Sequence, residues 1–428
     1  MSRLGWIDAP EVSRAQWPDL ATFAAGARRE GLTRVLLCGM GGSSLAPAVL
    51  AHAFGGAAFD ILDSTDPGAV LDVERRLPLE RTLFVIASKS GTTVETLAAY
   101  RYFARRAPAR QFVAVTDPGS PLQSLAQRAG FRSVFAHPPD VGGRYAALTV
   151  VGMLPAALLG VDGAELLARA RQVDVEAARR FGRAVAAAAL AGRDKLLLRP
   201  PPPVARLADW VEQLVAESSG KEGKGVIPVV GAPAATPDVQ TVSEFSGDPL
   251  DLGAEFLRWE YATWALCEQL GVNAFDQPDV EAAKAFAREQ AAPMPPTLSP
   301  AQLRGAARPG DYAAILAYLP PRPAVAATLE RVRAAWGDAL SCVATTAFGP
   351  RYLHSTGQLH KGGPNTGLFL VVTADDAEDV EIPEMGRSFG GLKRAQAVGD
   401  VRALLAKGRR VAHVHLSNPE DLGQLARF

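Results

Sequence analysis

Cysteine is scarce in this chain of 428 residues: Cys38, Cys267 and Cys342 are scattered, with no CxxC pair and no Cys/His spacing. That excludes a disulfide framework and a thiolate metal site, and it fits a reducing compartment, so a cytoplasmic protein is expected. An excess of either charge is also missing. Forty-five basic residues face 45 acidic ones, for a formal charge of +0, which argues against nucleic acid or an anionic membrane held by bulk charge. The longest apolar run, residues 145–161, is broken by Pro155 and abutted by Arg144; it reads as a buried core helix, not a membrane span. The first 17 residues carry charges and Trp where a secretory signal needs an apolar stretch, so no signal is expected. Lysine is rare as well, eight residues among the 45 cations, and five of the eight fall in the motifs described below. What remains, 48% hydrophobic and 21% charged with 40 Gly and 32 Pro, is a globular composition long enough for two or three domains.

Along the chain, apolar runs alternate with helical patterns. Residues 33–40, 59–63, 81–89 and 111–117 read as buried strands, and residues 131–137 follow as another, after two short N-terminal helices. Strands separated by helices of about 10–15 residues imply parallel βαβ units in a doubly wound sheet. A second series follows at residues 194–198, 225–230, 312–319, 341–348, 366–373 and 409–416. The proline-rich stretches 199–205 and 291–303 read as loops. Residues 230–252 show little periodicity.

Two strand ends could carry chemistry. In CGMGGSSLAP, residues 38–47, glycines follow a buried strand and Ser43 and Ser44 can cap the next helix. Free N–H groups at a helix start attract anions, but Gly39, Gly41 and Gly42 do not complete GxGxxG, so a nicotinamide or flavin is not expected. In ASKSGTTVET, residues 87–96, Ser88, Ser90, Thr92 and Thr93 surround Lys89 and Gly91. Four hydroxyls and an ammonium suit a phosphate monoester, whereas a helix cap needs only one hydroxyl. No HExxH or Cys/His cluster calls for a metal.

GMGGSSLAP followed by SKSGTTVET resembles the sugar isomerase domain, and specifically the phosphoglucose isomerase family. DVGGRYAAL (140–148), VEQLVAESSGKEGKG (211–225) and FDQPDVEAAK (275–284) resemble further signatures of that family. GKEGKG and LHSTGQLHKGGPNTGLFL (353–370) are most similar to the isomerase half of transaldolase/phosphoglucose isomerase fusions. The resemblance implies two flavodoxin-like sugar isomerase domains, over residues 1–165 and 166–428, the second trimmed near 230–252. It implies a metal-independent aldose–ketose isomerase that interconverts glucose 6-phosphate and fructose 6-phosphate through a cis-enediolate. It also suggests a homodimer whose site is completed across the interface; a subunit that works beside a separately encoded transaldolase is a third reading. Action on mannose 6-phosphate as well, or a sugar-phosphate-binding regulator without turnover, are the competing readings.

By the same resemblance Glu217 is the base, with Gln213 one turn earlier on its helix face. Arg144 steadies the enediolate oxygens, Lys284 assists ring opening, and Ser88, Lys89, Ser90 and Thr93 hold the phosphate. Gly42 and Ser43 contact the sugar. The family's ring-opening histidine lies between the glutamate and the lysine, where this chain has none. His354 and His360 follow Lys284; His360, after Gly357 and Gln358, is the preferred candidate, and His137 is the weakest. Ala146 stands where the arginine signature carries a hydroxyl.

Overall fold

The computed structural model describes residues 3–231, 236–279 and 292–427. Its first half is built on five parallel strands, β1 (Arg34–Gly39), β2 (Phe59–Leu62), β3 (Thr82–Ala87), β4 (Phe112–Thr116) and β5 (Ser133–Ala136), in the order β2-β1-β3-β4-β5. Alternate side chains of these apolar strands feed two separate cores. Leu36, Cys38, Phe84, Ile86, Phe112 and Ala114 pack with Tyr102 and Phe103 of the helix Val94–Ala104. Leu37, Val85, Val113 and Val115 pack on the other face with Leu20 and Ala24 of the N-terminal helix and Leu154 of the helix Val150–Leu159. Each fully buried Phe or Leu contributes about 1.5–3 kcal/mol, so coverage of both faces explains the unbroken apolar runs.

This strand order is that of the flavodoxin-like doubly wound sheet expected from sequence. The strand order reverses between β1 and β3, and in such folds ligands bind outside the carboxyl ends of the strands at that point. The connections leaving β1 and β3 are the two motifs singled out above.

Several local expectations need correction. The two short N-terminal helices are one, Ala9–Arg29, which carries Pro18 inside it. Among residues 230–252, strand β8 (Val239–Val242) pairs parallel with β6 (Lys195–Leu198); four residues are too few to show a period. Residues 300–303, read from sequence as part of a proline-rich loop, belong to the helix Pro300–Gly305, where Ser299 and Gln302 form a capping box and the proline at its start has no N–H to lose.

In the second half the parallel strands divide between two sheets. One is β7-β6-β8, with β7 at Ile227–Val230. The other is β10-β9-β11-β14, from β9 (Tyr312–Tyr318), β10 (Val343–Phe348), β11 (Gly367–Ala374) and β14 (Arg410–Leu416). Between β11 and β14 a small antiparallel hairpin, β12 (Glu381–Ile382) and β13 (Arg387–Ser388), reaches back to the first half. There Ile382 and Phe389 join the core around Tyr102, and Arg105 pairs with Glu384 at 2.8 Å. The helices Val175–Leu190 and Leu252–Leu270 pack together and share the core that lies under β1 and β3. Among the described residues no helix is long and apolar enough to cross a membrane.

Candidate active site

The turn after β1 becomes the short 3₁₀ helix Gly41–Ser43. Gly41 sits at φ +54, where L side chains are strained, and a Cβ there would overlap the carbonyl of His354 and lie 2.8 Å from Gln213 Nε2. A Cβ on Gly42 would overlap the carbonyl of Gly143. Both glycines therefore let two other segments approach the end of β1. Ser43 is half-buried. Ser44 precedes the helix Leu45–Ala53 without capping it; its hydroxyl donates back to Gly41 O at 3.2 Å.

After β3 the hydroxyls interlock. Ser88 Oγ lies 2.8 Å from Thr93 Oγ1 and accepts from Gly91 N at 3.1 Å. Ser90 Oγ lies 2.9 Å from Thr92 Oγ1, and both residues border solvent. The loop opens directly onto the N-terminus of Val94–Ala104, whose free N–H groups favour an anion. Lys89 turns away to Asp117 at the end of β4, at 2.6 Å. Asp117 also meets His137 Nδ1 at 2.9 Å. Burial raises the Asp117 carboxyl, but the hydrogen bonds from His137 and Lys89 outweigh it and hold the group below its usual value. Burial lowers the His137 imidazole. His137 is thus a partner of Asp117.

Glu217 lies on the helix Leu207–Ser219, and the four-residue spacing stacks it on Gln213. Gln213 Nε2 donates to Glu217 Oε2 at 3.0 Å and to the carbonyl of His354 at 2.7 Å. Gln213 Oε1 is buried with no protein partner, leaving one acceptor uncommitted beside the carboxylate. Arg144 approaches Glu217 Oε1 at 3.7 Å and is itself buried. Its other bonds fix it: Nε donates to Ser218 Oγ at 2.8 Å, Nη1 to Gln277 Oε1 at 2.7 Å, and Nη2 to the carbonyls of Ala274 (2.6 Å) and Asp276 (3.0 Å). The FDQ motif therefore cradles the guanidinium through Gln277. Lys221, next along from the helix, pairs with Asp276 at 2.8 Å. Ala146 is fully buried.

The histidines separate. His354 follows the loop after β10, with its carbonyl on Gln213 and its Nε2 at 2.8 Å from Glu95 Oε1. His360 is enclosed by Tyr312, Tyr352 and Phe369, with ring centroids 6.5, 6.0 and 5.1 Å away, and its Nδ1 has no partner. Burial pushes its imidazole well below the usual value, with Lys361 and Arg409 adding to the effect. The structure thus brings Glu217, Arg144, Gln213, Gly41, Gly42 and His354 together and sets His360 in the core. The sequence favours His360 because it stands two residues after the Gly357-Gln358 pair; Glu95, one residue before the end of the second motif, is the partner that sequence reading missed. Lys284 lies outside the described residues. On the neighbouring face of the Glu217 helix is a cavity of about 330 Å³, lined in part by Asp209, Glu212, Arg351 and Ser355. Burial, with help from Asp209, pushes the Glu212 carboxyl up to about 8.

Residues 21–181 match the model of the family described as phosphoglucose isomerase. A glucose-6-phosphate isomerase of Thermus thermophilus is 40% identical over 187 residues, covering 40% of this chain and 43% of that protein. Another, of Symbiobacterium thermophilum, is 31% identical over 280 residues, covering 56% of this chain and 60% of that protein. The chain thus spans about half the length of the curated relatives it matches. The crystal structure of a glucose-6-phosphate isomerase from Chlamydia trachomatis superimposes with a TM-score of 0.52 at 20% identity, over 64% of this chain and 72% of that one, a likeness of fold. Both strand-end loops and Arg144 lie inside the segment, residues 21–181, that is similar to the phosphoglucose isomerase family.

Proposed function

We propose that this protein is an aldose–ketose isomerase that interconverts glucose 6-phosphate and fructose 6-phosphate without a metal. The observation that carries the reading is the pairing of Glu217 with Arg144 at 3.7 Å beside the Gly41–Gly42 turn. Moving a proton between C1 and C2 of an open-chain sugar needs a carboxylate to carry it and a cation near the oxygens where charge develops. Arg144 is suited to the second task because its guanidinium stays charged and four fixed acceptors hold its plane. Gln213 keeps the Glu217 carboxylate in place through one oxygen, leaving the other toward Arg144.

In this reading the phosphate is held at the Ser88–Thr93 loop by its hydroxyls and by the N–H groups at the helix start. Lys89 balances charge from its position on Asp117. The ring is opened by His354, with Lys284 assisting as the family resemblance implies. Glu217 then takes the proton from one carbon and returns it to the other face-adjacent carbon of the cis-enediolate, while Arg144 stabilises its oxygens. A homodimer in the cytoplasm and a separately encoded transaldolase belong to the same proposal; size-exclusion chromatography with light scattering and co-purification test these two associations.

The direct test is conversion of fructose 6-phosphate to glucose 6-phosphate by the purified protein in excess EDTA. Turnover that is indifferent to EDTA supports the reading. Tight sugar-phosphate binding without turnover would replace it with a regulator.

A further inference from the structure

We propose that Gln396 is a positioning residue for His354, acting through Glu95; this rests on the isomerase reading above and extends it to a residue of the C-terminal helix. Glu95 Oε1 receives two bonds, one from His354 Nε2 at 2.8 Å and one from Gln396 Nε2 at 2.7 Å. Gln396 Oε1 in turn accepts from Thr65 Oγ1 at 2.7 Å. Thr65, Glu95 and Gln396 are all buried.

The chemistry fixes the direction of this chain. An ionised carboxylate only accepts, so the Gln396 end facing Glu95 must be its NH₂, and the end facing Thr65 must be the carbonyl, to which the hydroxyl donates. For the same reason the proton of a neutral His354 ring resides on Nε2, which leaves Nδ1 as its free acceptor. Without Gln396, the carboxylate would keep one bond fewer and could rotate away from the imidazole. Charge-assisted hydrogen bonds of this kind are stronger and more directional than neutral ones. The relay also spans the molecule: Thr65 follows β2, Glu95 opens the helix after β3, and Gln396 sits in the helix Phe389–Ala406 behind the β12–β13 hairpin. The second half of the chain thereby sets the state of a histidine that faces the first.

The test is Gln396→Leu, alone and combined with His354→Gln, with Thr65→Val as a milder variant that removes only the orienting hydroxyl. The expected result for Gln396→Leu is a fall in kcat of about tenfold with KM within about twofold, and no further fall when His354 is already Gln. Thr65→Val should shift kcat in the same direction by less. Imidazole ¹⁵N NMR, with the His354 signal identified by its loss in His354→Gln, should show an Nε2–H ring in the wild type and a mixture of tautomers in Gln396→Leu. Equal fold losses in both backgrounds, or an unchanged ring signal in Gln396→Leu, would overturn the proposal. If the wild type turns over no sugar phosphate, the isomerase reading fails, and the ring signal alone still decides the relay.

Discussion

The side-chain amide of Gln213 donates to the main-chain carbonyl of His354 at 2.7 Å, and the same nitrogen reaches Glu217 at 3.0 Å. One amide thus holds the assigned base and the histidine-bearing loop at a common point, with the Cβ-free Gly41 leaving room for the contact.

His354 and His360 should separate cleanly. His354→Gln is expected to lower kcat by about 10²-fold, the range of a lost proton-transfer group, while His360→Phe should leave kcat within about threefold, since that ring is packed among aromatics. Steady-state kinetics on both variants checks this; equal losses would show that the core histidine takes part.

Gly42→Ala should impair activity and stability together. The added methyl overlaps the Gly143 carbonyl, so the backbone leading into Arg144 must move, at a cost of about 1–3 kcal/mol. Thermal melts and kcat/KM should both fall, whereas Gly143→Ala, where nothing lies within 4 Å of the new Cβ, should be nearly silent.

Glu260 is fully buried in the core, both of its oxygens lack a partner, and burial raises its carboxyl well above the ordinary value. The folded state therefore keeps a proton that the unfolded chain releases near pH 4.5. Stability from this group is fully present below that pH and is lost as pH rises. Glu260→Met should raise Tm, and the gain should grow between pH 5 and pH 8, as read by calorimetry at each pH. A gain that shrinks with pH would contradict the assignment.

Three histidines act in the opposite sense. Burial lowers His137 and His360, and it takes His413 to about 4. The unfolded chain binds protons near pH 6.5 that the native state refuses, so stability is present above that pH and falls as pH drops from about 6.5 toward about 4. Urea unfolding across this window should show that slope, and His360→Phe should flatten it.

Much of the site was legible because its chemistry is local in sequence. The Ser88–Thr93 hydroxyls, the Gly41–Gly42 turn and the Gln213–Glu217 spacing each belong to one strand end or one helix face, and the parallel α/β pattern announced where those ends would be. What was not legible depends on long-range placement. Which histidine lies near the Gln213–Glu217 pair is decided by Glu95, which takes the His354 ring, and by Gln213, which takes its carbonyl, 259 and 141 positions from His354. The engagement of Lys89 by Asp117 depends on β4 lying beside β3, and β8 is too short to leave a period.

The most direct measurement is deuterium incorporation during turnover. In D₂O, wild-type protein incubated with fructose 6-phosphate should return glucose 6-phosphate carrying deuterium at C2, detected by mass spectrometry, because the proton carried on Glu217 exchanges with solvent. Glu217→Gln should lower both turnover and incorporation by at least about 10²-fold. Incorporation that persists at the wild-type rate in Glu217→Gln would contradict the account, since another group would then be moving the proton.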